Sequence, residues 1–226
     1  MKLLTTRLNE VYCLQTITQR LLDDSTYDLG AWLTGRISDK LGRVAGSAFM
    51  IGDGVNKPRG LSTYTVAVTT DATRAWGTIQ GVYTGTSADF AATGPADVLV
   101  NAVYALRSEY RPNASWIMNS LTAGKVRKLK DSTGRFLWSD SLTPGQPPML
   151  LGYPCYLDEY APDIAASTAA IWFGDFTRAY LIVDRPGLKL LRDPYTSKPN
   201  VLFYCYQRIG GALVNSEAVK AVVFGS

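Results

Sequence analysis

Histidine is absent from the 226-residue chain, and its absence removes the usual general base of hydrolases together with the commonest protein ligand of zinc. Ser-His-Asp, Cys-His and H-E-x-x-H chemistries are excluded. Cysteine is scarce: Cys13, Cys155 and Cys205 lie far apart with no C-x-x-C spacing, so neither a zinc site nor a disulfide framework is indicated. Buried reduced thiols in a cytosolic setting are expected instead. Charge is sparse, at 19% of residues, and the net value of +4 at pH 7 is too small to make the whole chain a nucleic-acid binder. Long apolar runs are missing as well. No stretch approaches the roughly 18 apolar residues of a membrane span, and Arg7, Asn9 and Glu10 interrupt the opening "MKLLTTRLNEVYCLQ" where a signal peptide needs an apolar core. A soluble protein made in the cytoplasm is expected.

What is present describes a folded chain. The sequence is 46% hydrophobic, enough to bury a substantial core in one large domain or two small ones. "IGDGVNKPRG", Ile51 to Gly60, crowds three glycines, a lysine, an arginine and a proline into ten positions. A phosphate-gripping loop needs lysine directly after glycine and a helix opening there. Here Asn56 precedes Lys57, and Pro58 removes an N–H while biasing Lys57 away from helix. The stretch reads as a pair of turns shaped by Gly52, Gly54 and Gly60.

Residues Leu8 to Leu14 alternate weakly as a strand, and "TITQRLLDD" reads as one or two helical turns. Ser25 with Asp28 three later resembles a capping box. Leu29, Leu33, Ile37, Leu41, Val44 and Ala48 then recur at spacings of three and four, predicting one long helix to about Met50. Gly30, Gly35, Gly42 and Gly46 inside it each cost about 1 kcal/mol relative to alanine, so packing must hold it. "LSTYTVAVTT" is strand-like, and 71–92 receives no assignment. A second helix is predicted over about Pro95 to Tyr110 with Val98, Ala102, Leu106 and Tyr110 on one stripe. "ASWIM" follows as a short buried strand, and a third helix is capped by Ser120 or Thr122. From Pro148 onward, "MLLGYPCYL", "AIWFGDF", "AYLIVDR", "LKLL", "VLFYCYQRI" and "AVKAVVFG" read as strands of mainly antiparallel sheet. Helices early and strands late, without β-α-β alternation, predict an α+β fold.

Candidate chemistry is thin. Lys125, Arg127, Lys128, Lys130 and Arg135 face a single acid, Asp131; a solvated helix face accounts for them better than a polyanion site. The pairs Asp23-Asp24 and Asp158-Glu159 raise the question of paired carboxylates, but adjacent acids point different ways, and caps or turns explain both. Trp32, Trp76, Trp116, Trp138 and Trp172 are scattered, which suits core and interface burial. No nucleophile, base and oxyanion donor assemble, so no catalytic, cofactor-binding or metal-binding residue is assigned, and no cofactor is expected.

Several phrases, taken in order, resemble one family, the major capsid proteins of tailed bacteriophages with the Hong Kong 97-type fold. They are "LQTITQRLLDDSTYDLGAWL", "AFMIGDGVNKPRG", "VYALRSEYRPNASWIMNSLTAGKVRKLKDSTGRFLW", "LLGYPCYLDEYAPDIA", "FGDFTRAYLIVDR" and "LRDPYTSKPNVLFYCYQRIGGALVNSEAVKAV". The resemblance implies a P-domain part over 1–92 with a spine helix at about 25–50, an A-domain over 93–169, P-domain strands over 170–209 and a return strand into the A-domain over 210–226. "DEYAPDIA" would be a loop towards the symmetry axis. Implied partners are other copies of the chain, in hexamers and pentamers, with portal, scaffold or protease proteins of the phage and packaged DNA held by non-specific contact. No membrane and no small-molecule substrate are implied. The implied location is a virion capsid, assembled in the bacterial host cytoplasm.

Members of that family usually carry a long N-terminal arm and an extended hairpin, the E-loop, ahead of the text matching Leu14 to Leu33, so a truncated form is expected here. Some members also cross-link subunits through a lysine on the E-loop, an asparagine and a catalytic glutamate. Tyr206 falls about where that glutamate would, and no E-loop lysine exists, so no self-cross-linking is expected. An encapsulin-like compartment subunit is the alternative that the same resemblance leaves open.

Overall fold

The computed structural model describes residues 5–26, 28–130, 138 and 147–225. They form an α+β protein of two compact units, one of residues 1–60 and 182–212, the other of 61–181 and 213–226.

In the first unit a three-stranded sheet is built from β1 (Asn9–Thr18), β9 (Asn200–Leu213) and β8 (Tyr180–Asp193), in the order β1-β9-β8. Helix α1 (Gln19–Asp24) follows β1, with the Thr18 hydroxyl accepting from the Leu21 N–H. The long helix α2 (Leu29–Ile51) starts where Asp28 accepts from the Ala31 N–H at 3.0 Å. Asp28 is therefore the N-cap itself, and Ser25 ends α1, which replaces the expected Ser25–Asp28 box. The buried stripe of α2 is Leu33, Ile37 and Leu41, packed with Val201, Phe203 and Cys205 of β9 and with Val11, Cys13 and Ile17 of β1. Val44, expected on that stripe, is turned outward.

The turn after α2 is tied by backbone. The Gly60 N–H donates to the Gly52 carbonyl at 2.8 Å, Asp53 bridges Arg59 as an isolated antiparallel pair, and the Asp53 carboxylate accepts from the Val55 N–H at 2.9 Å and pairs with Lys57 at 3.3 Å. Lys57 thus serves the turn itself. A Cβ on Gly52 would sit 2.1 Å from the Pro58 carbonyl oxygen, and one on Gly60 2.5 Å from the Gly52 nitrogen. The elaborate composition is explained by two strands of backbone passing too close for side chains.

In the second unit a seven-stranded sheet runs β2 (Val66–Ala67), β3 (Ile79–Tyr83), β10 (Val219–Phe224), β7 (Thr168–Gly174), β4 (Ser115–Met118), β6 (Tyr153–Leu157), β5 (Met149–Leu150). The expectation of mainly antiparallel pairing for the strands from Pro148 onward holds, since β5 with β6, β7 with β10 and β7 with β4 are antiparallel; β4 with β6, β3 with β10 and β2 with β3 are parallel. Parallel neighbours need crossovers: the connection from β4 to β6 contains α4 (Ser120–Arg127), while α3 (Asp97–Ala105), between β3 and β4, packs on β3 and β10. Helix α3 ends at Ala105, short of the expected Tyr110, yet Val98, Ala102, Leu106 and Tyr110 are all buried. Asn119 caps α4 by accepting from Leu121 N–H, in place of the expected Ser120 or Thr122. A short helix α5 (Phe176–Ala179) is capped by buried Asp175.

Residues 61–92 contribute β2 and β3 to the larger sheet, and β7 pairs there with β4 and β10 instead of joining the strands of the first unit. The aromatic centre of that sheet is Trp116 against Phe173, ring centroids 4.3 Å apart, with the Trp116 indole donating to the Leu150 carbonyl.

Candidate assembly surfaces

The alternation of β1 and β9 sorts their side chains onto two faces. Val11, Cys13 and Ile17 with Val201, Phe203 and Cys205 meet α2, so the register places Glu10 opposite Arg208, Tyr12 opposite Tyr206 and Leu14 opposite Tyr204 on the other face. Tyr12 is 67% and Leu14 56% exposed. Tyr204 lies 6.1 Å from Tyr12 and 5.5 Å from Tyr206, centroid to centroid. The Tyr204 hydroxyl donates to Glu10, which also pairs with Arg208 at 3.3 Å. Desolvation first, and then Glu10, raise the Tyr204 phenol above its ordinary pKa. An apolar, aromatic face of this kind is what an association surface presents.

In the second unit the exposed large side chains include Tyr104, Leu121, Tyr156, Leu157 and Trp76. Tyr104 carries the Arg111 guanidinium 5.1 Å above its ring. Of the five tryptophans, Trp116, Trp138 and Trp172 are buried, while Trp32 and Trp76 are about half exposed at 52% and 53%. Trp76 stands on a turn held from beneath by a buried ionic cluster. Arg74 donates from Nε to Asp71 at 2.7 Å and from Nη1 to the Thr78 carbonyl at 2.5 Å and the Ser216 hydroxyl at 2.7 Å; Lys220 Nζ meets the other oxygen of Asp71 at 2.5 Å. Lys220 is fully buried and Arg74 nearly so. Burial, the largest influence, pushes the Lys220 ammonium below its ordinary value, and Asp71 opposes it. The sequence carried one signal of this cluster, a lysine inside the apolar run "AVKAVVFG"; a buried lysine requires a partner. Nothing local pointed to Asp71, which lies 149 positions away.

The basic segment behaves as expected of a solvated face. Lys125, Arg127, Lys128 and Lys130 are exposed, while Thr122, Ala123 and Val126 of the same helix are buried; Asp131 and Arg135 lie outside the described residues. The carboxylate pairs form no dyad. Asp23 accepts from Gln19, and Asp24 pairs with Arg20 at 3.4 Å. Asp158 accepts from the Tyr160 N–H, and Glu159 from the Ser120 hydroxyl, closing the loop after β6 onto the start of α4. Among the described residues no group of three metal-ligating side chains comes together, and no helix is long and apolar enough to cross a membrane.

The three cysteines are free. Cys155 is almost wholly buried, and desolvation pushes its thiol up from 9.0 to about 11. A raised thiol pKa favours the folded state fully below pH 9.0, and that contribution is lost as pH rises through about 11. Thiol titration with an aromatic disulfide at pH 8 is therefore expected to modify at most Cys13 quickly in the folded chain and all three in denaturant. Rapid native modification of Cys155 would contradict its burial in β6, between β4 and β5.

A family model described as the phage capsid family matches residues 1–224. Two solved capsids, of an empty and of a native GTA particle, both computed with C5 symmetry, are 49% identical to this chain. Each match covers 99% of this chain, and 75% and 74% of those chains, with TM-scores of 0.91 and 0.92. A holo-SrpI encapsulin complex from Synechococcus elongatus PCC 7942 is 13% identical over 96% of this chain and 73% of that one, with a TM-score of 0.67, a likeness of fold alone. No curated protein matches.

Proposed function

This chain belongs to the phage capsid family, and from that premise we propose that it is a structural subunit whose copies close into pentamers and hexamers of an icosahedral shell around double-stranded DNA. The observation that carries the reading is the 49% identity, across 99% of the chain, to capsids computed with five-fold symmetry. Identity at that level favours a shell of the phage type over an encapsulin-like compartment. The unit containing α2 and the three-stranded sheet is the P-domain, with α2 as its spine. The unit containing the seven-stranded sheet is the A-domain, and its loop over 158–165 reaches the symmetry axis. Assembly takes place in the bacterial cytoplasm, where portal, scaffold and protease proteins act with it.

The chain works through its surfaces and not as an enzyme. The lack of histidine supports this. The place expected for a cross-linking glutamate holds Tyr206, whose ring lies under the Lys189 ammonium, so shells of this protein dissociate in hot detergent to single chains. The experiment for the main reading is negative-stain microscopy of the purified chain. Rings or closed particles with five- and six-fold views are expected; featureless single subunits at every concentration would overturn it.

A further inference from the structure

On the exposed face of the first unit's sheet, β8 and β9 enclose a cleft of about 240 Å³ lined by Arg185, Gly187, Lys189, Tyr206, Gln207 and Arg208. It exists because Gly187, with φ +98, puts no side chain between Arg185 and Lys189; a Cβ there would meet nothing within 4 Å. Its charge is unbalanced at one end. Arg208 is paired with Glu10, and Asp184 is taken by the Gln207 amide at 3.0 Å. Among the described residues neither Arg185 nor Lys189 has an ion-pair partner, and Lys189 lies 5.8 Å from the Tyr206 ring centroid. Two cations flank a gap floored by an aromatic ring, beside the half-exposed Tyr12 and Leu14.

We propose that this cleft seats a carboxylate side chain of a second copy of the chain, with Arg185 and Lys189 as its ionic partners and the Tyr12–Tyr204–Tyr206 face as the apolar ground on which the incoming segment lies. The inference rests on the shell reading above. A carboxylate fits on three counts. The guanidinium offers a planar two-donor fork that matches it. The cleft holds one side chain and not a duplex groove. The cleft brings three cations together, one of them already paired with Glu10, too few to gather DNA by counterion release. The surrounding tyrosines favour a polypeptide, since they offer rigid contact area with a polar tip.

The test is the double charge reversal R185E/K189E, together with zero-length carbodiimide coupling of wild-type assemblies made from mixed nitrogen-14 and nitrogen-15 chains. Both substituted residues are exposed, so melting of the isolated variant is expected to match wild type. The variant is expected to lose at least tenfold in assembled fraction, and wild-type particles to yield an isotopically mixed amide between Lys189 and an aspartate or glutamate. Wild-type particles without that amide, and a variant that assembles as wild type, would overturn the inference while leaving the shell reading intact. So would a variant that assembles normally but loses affinity for a 30-base-pair duplex, which would give the cleft to DNA. A wild-type chain that forms no assembly overturns the shell reading, and this inference with it.

Discussion

Asp71→Asn is expected to destabilise the chain by about 3–5 kcal/mol in urea unfolding, the range for removing one partner of a buried pair. Asparagine keeps the shape of aspartate, so little packing is lost. What changes is that Lys220, fully buried, and Arg74, with 2% of its side chain exposed, lose the carboxylate that both contact. Both cations then face each other in the interior. The surface pair Arg20–Asp24, 92% and 70% exposed, is the control, and Asp24→Asn is expected to change stability by less than about 1 kcal/mol. The pH dependence separates this account from a simple loss of packing. With the Lys220 pKa held below 10.5, the unfolded chain binds the extra proton between the two values, and stability from this group rises as pH climbs through that window. Removing Asp71 removes the influence that holds the proton on, so the rise begins at lower pH in the variant. An unchanged profile would mean that Asp71 does not neutralise Lys220.

Gly52→Ala and Gly35→Ala are expected to act in opposite directions. At Gly52 the added carbon would stand 2.1 Å from the Pro58 carbonyl oxygen and 2.4 Å from that of Ala48. Its φ of −64 carries no strain of its own. The cost therefore comes from forcing the turn off the end of α2, about 1–3 kcal/mol or more where neighbouring backbone must move. The Gly60–Gly52 hydrogen bond, visible in hydrogen exchange, is expected to lose protection in the same variant. At Gly35, on the exposed face of α2, nothing lies within 4 Å of the added carbon, and alanine there is expected to add about 0.4–1 kcal/mol. Equal effects at both sites would contradict the close backbone approach at 51–60.

Much of this was legible because it is local. The α2 stripe of Leu33, Ile37 and Leu41 shows at helical spacing in the sequence and is the face that packs on β9. "ASWIM" shows as a strand, with Trp116 and Met118 pointing into the core. Helix starts were misplaced by a residue or more because Asp28 and Asn119 compete with nearby Ser25, Ser120 and Thr122, all of which can cap. Strand β3, "IQGVY", was not found, since five residues with a central glycine carry little β signal. The parallel partners of β3 and β4 could not be read, because pairing is fixed by crossovers and not by either strand. The cleft at Gly187 was hidden for a related reason. Arg185 and Lys189 both come from β8, but the Tyr206 ring beside them comes from β9, and only the hairpin brings the three to one face.

Sedimentation velocity of the purified chain, from low to high micromolar concentration, tests most directly whether its function lies in surfaces that meet copies of themselves. A steep, cooperative shift from small species to rings or closed shells is predicted, lost in R185E/K189E. A single species at the 24.7 kDa mass of one chain across the whole range would contradict it.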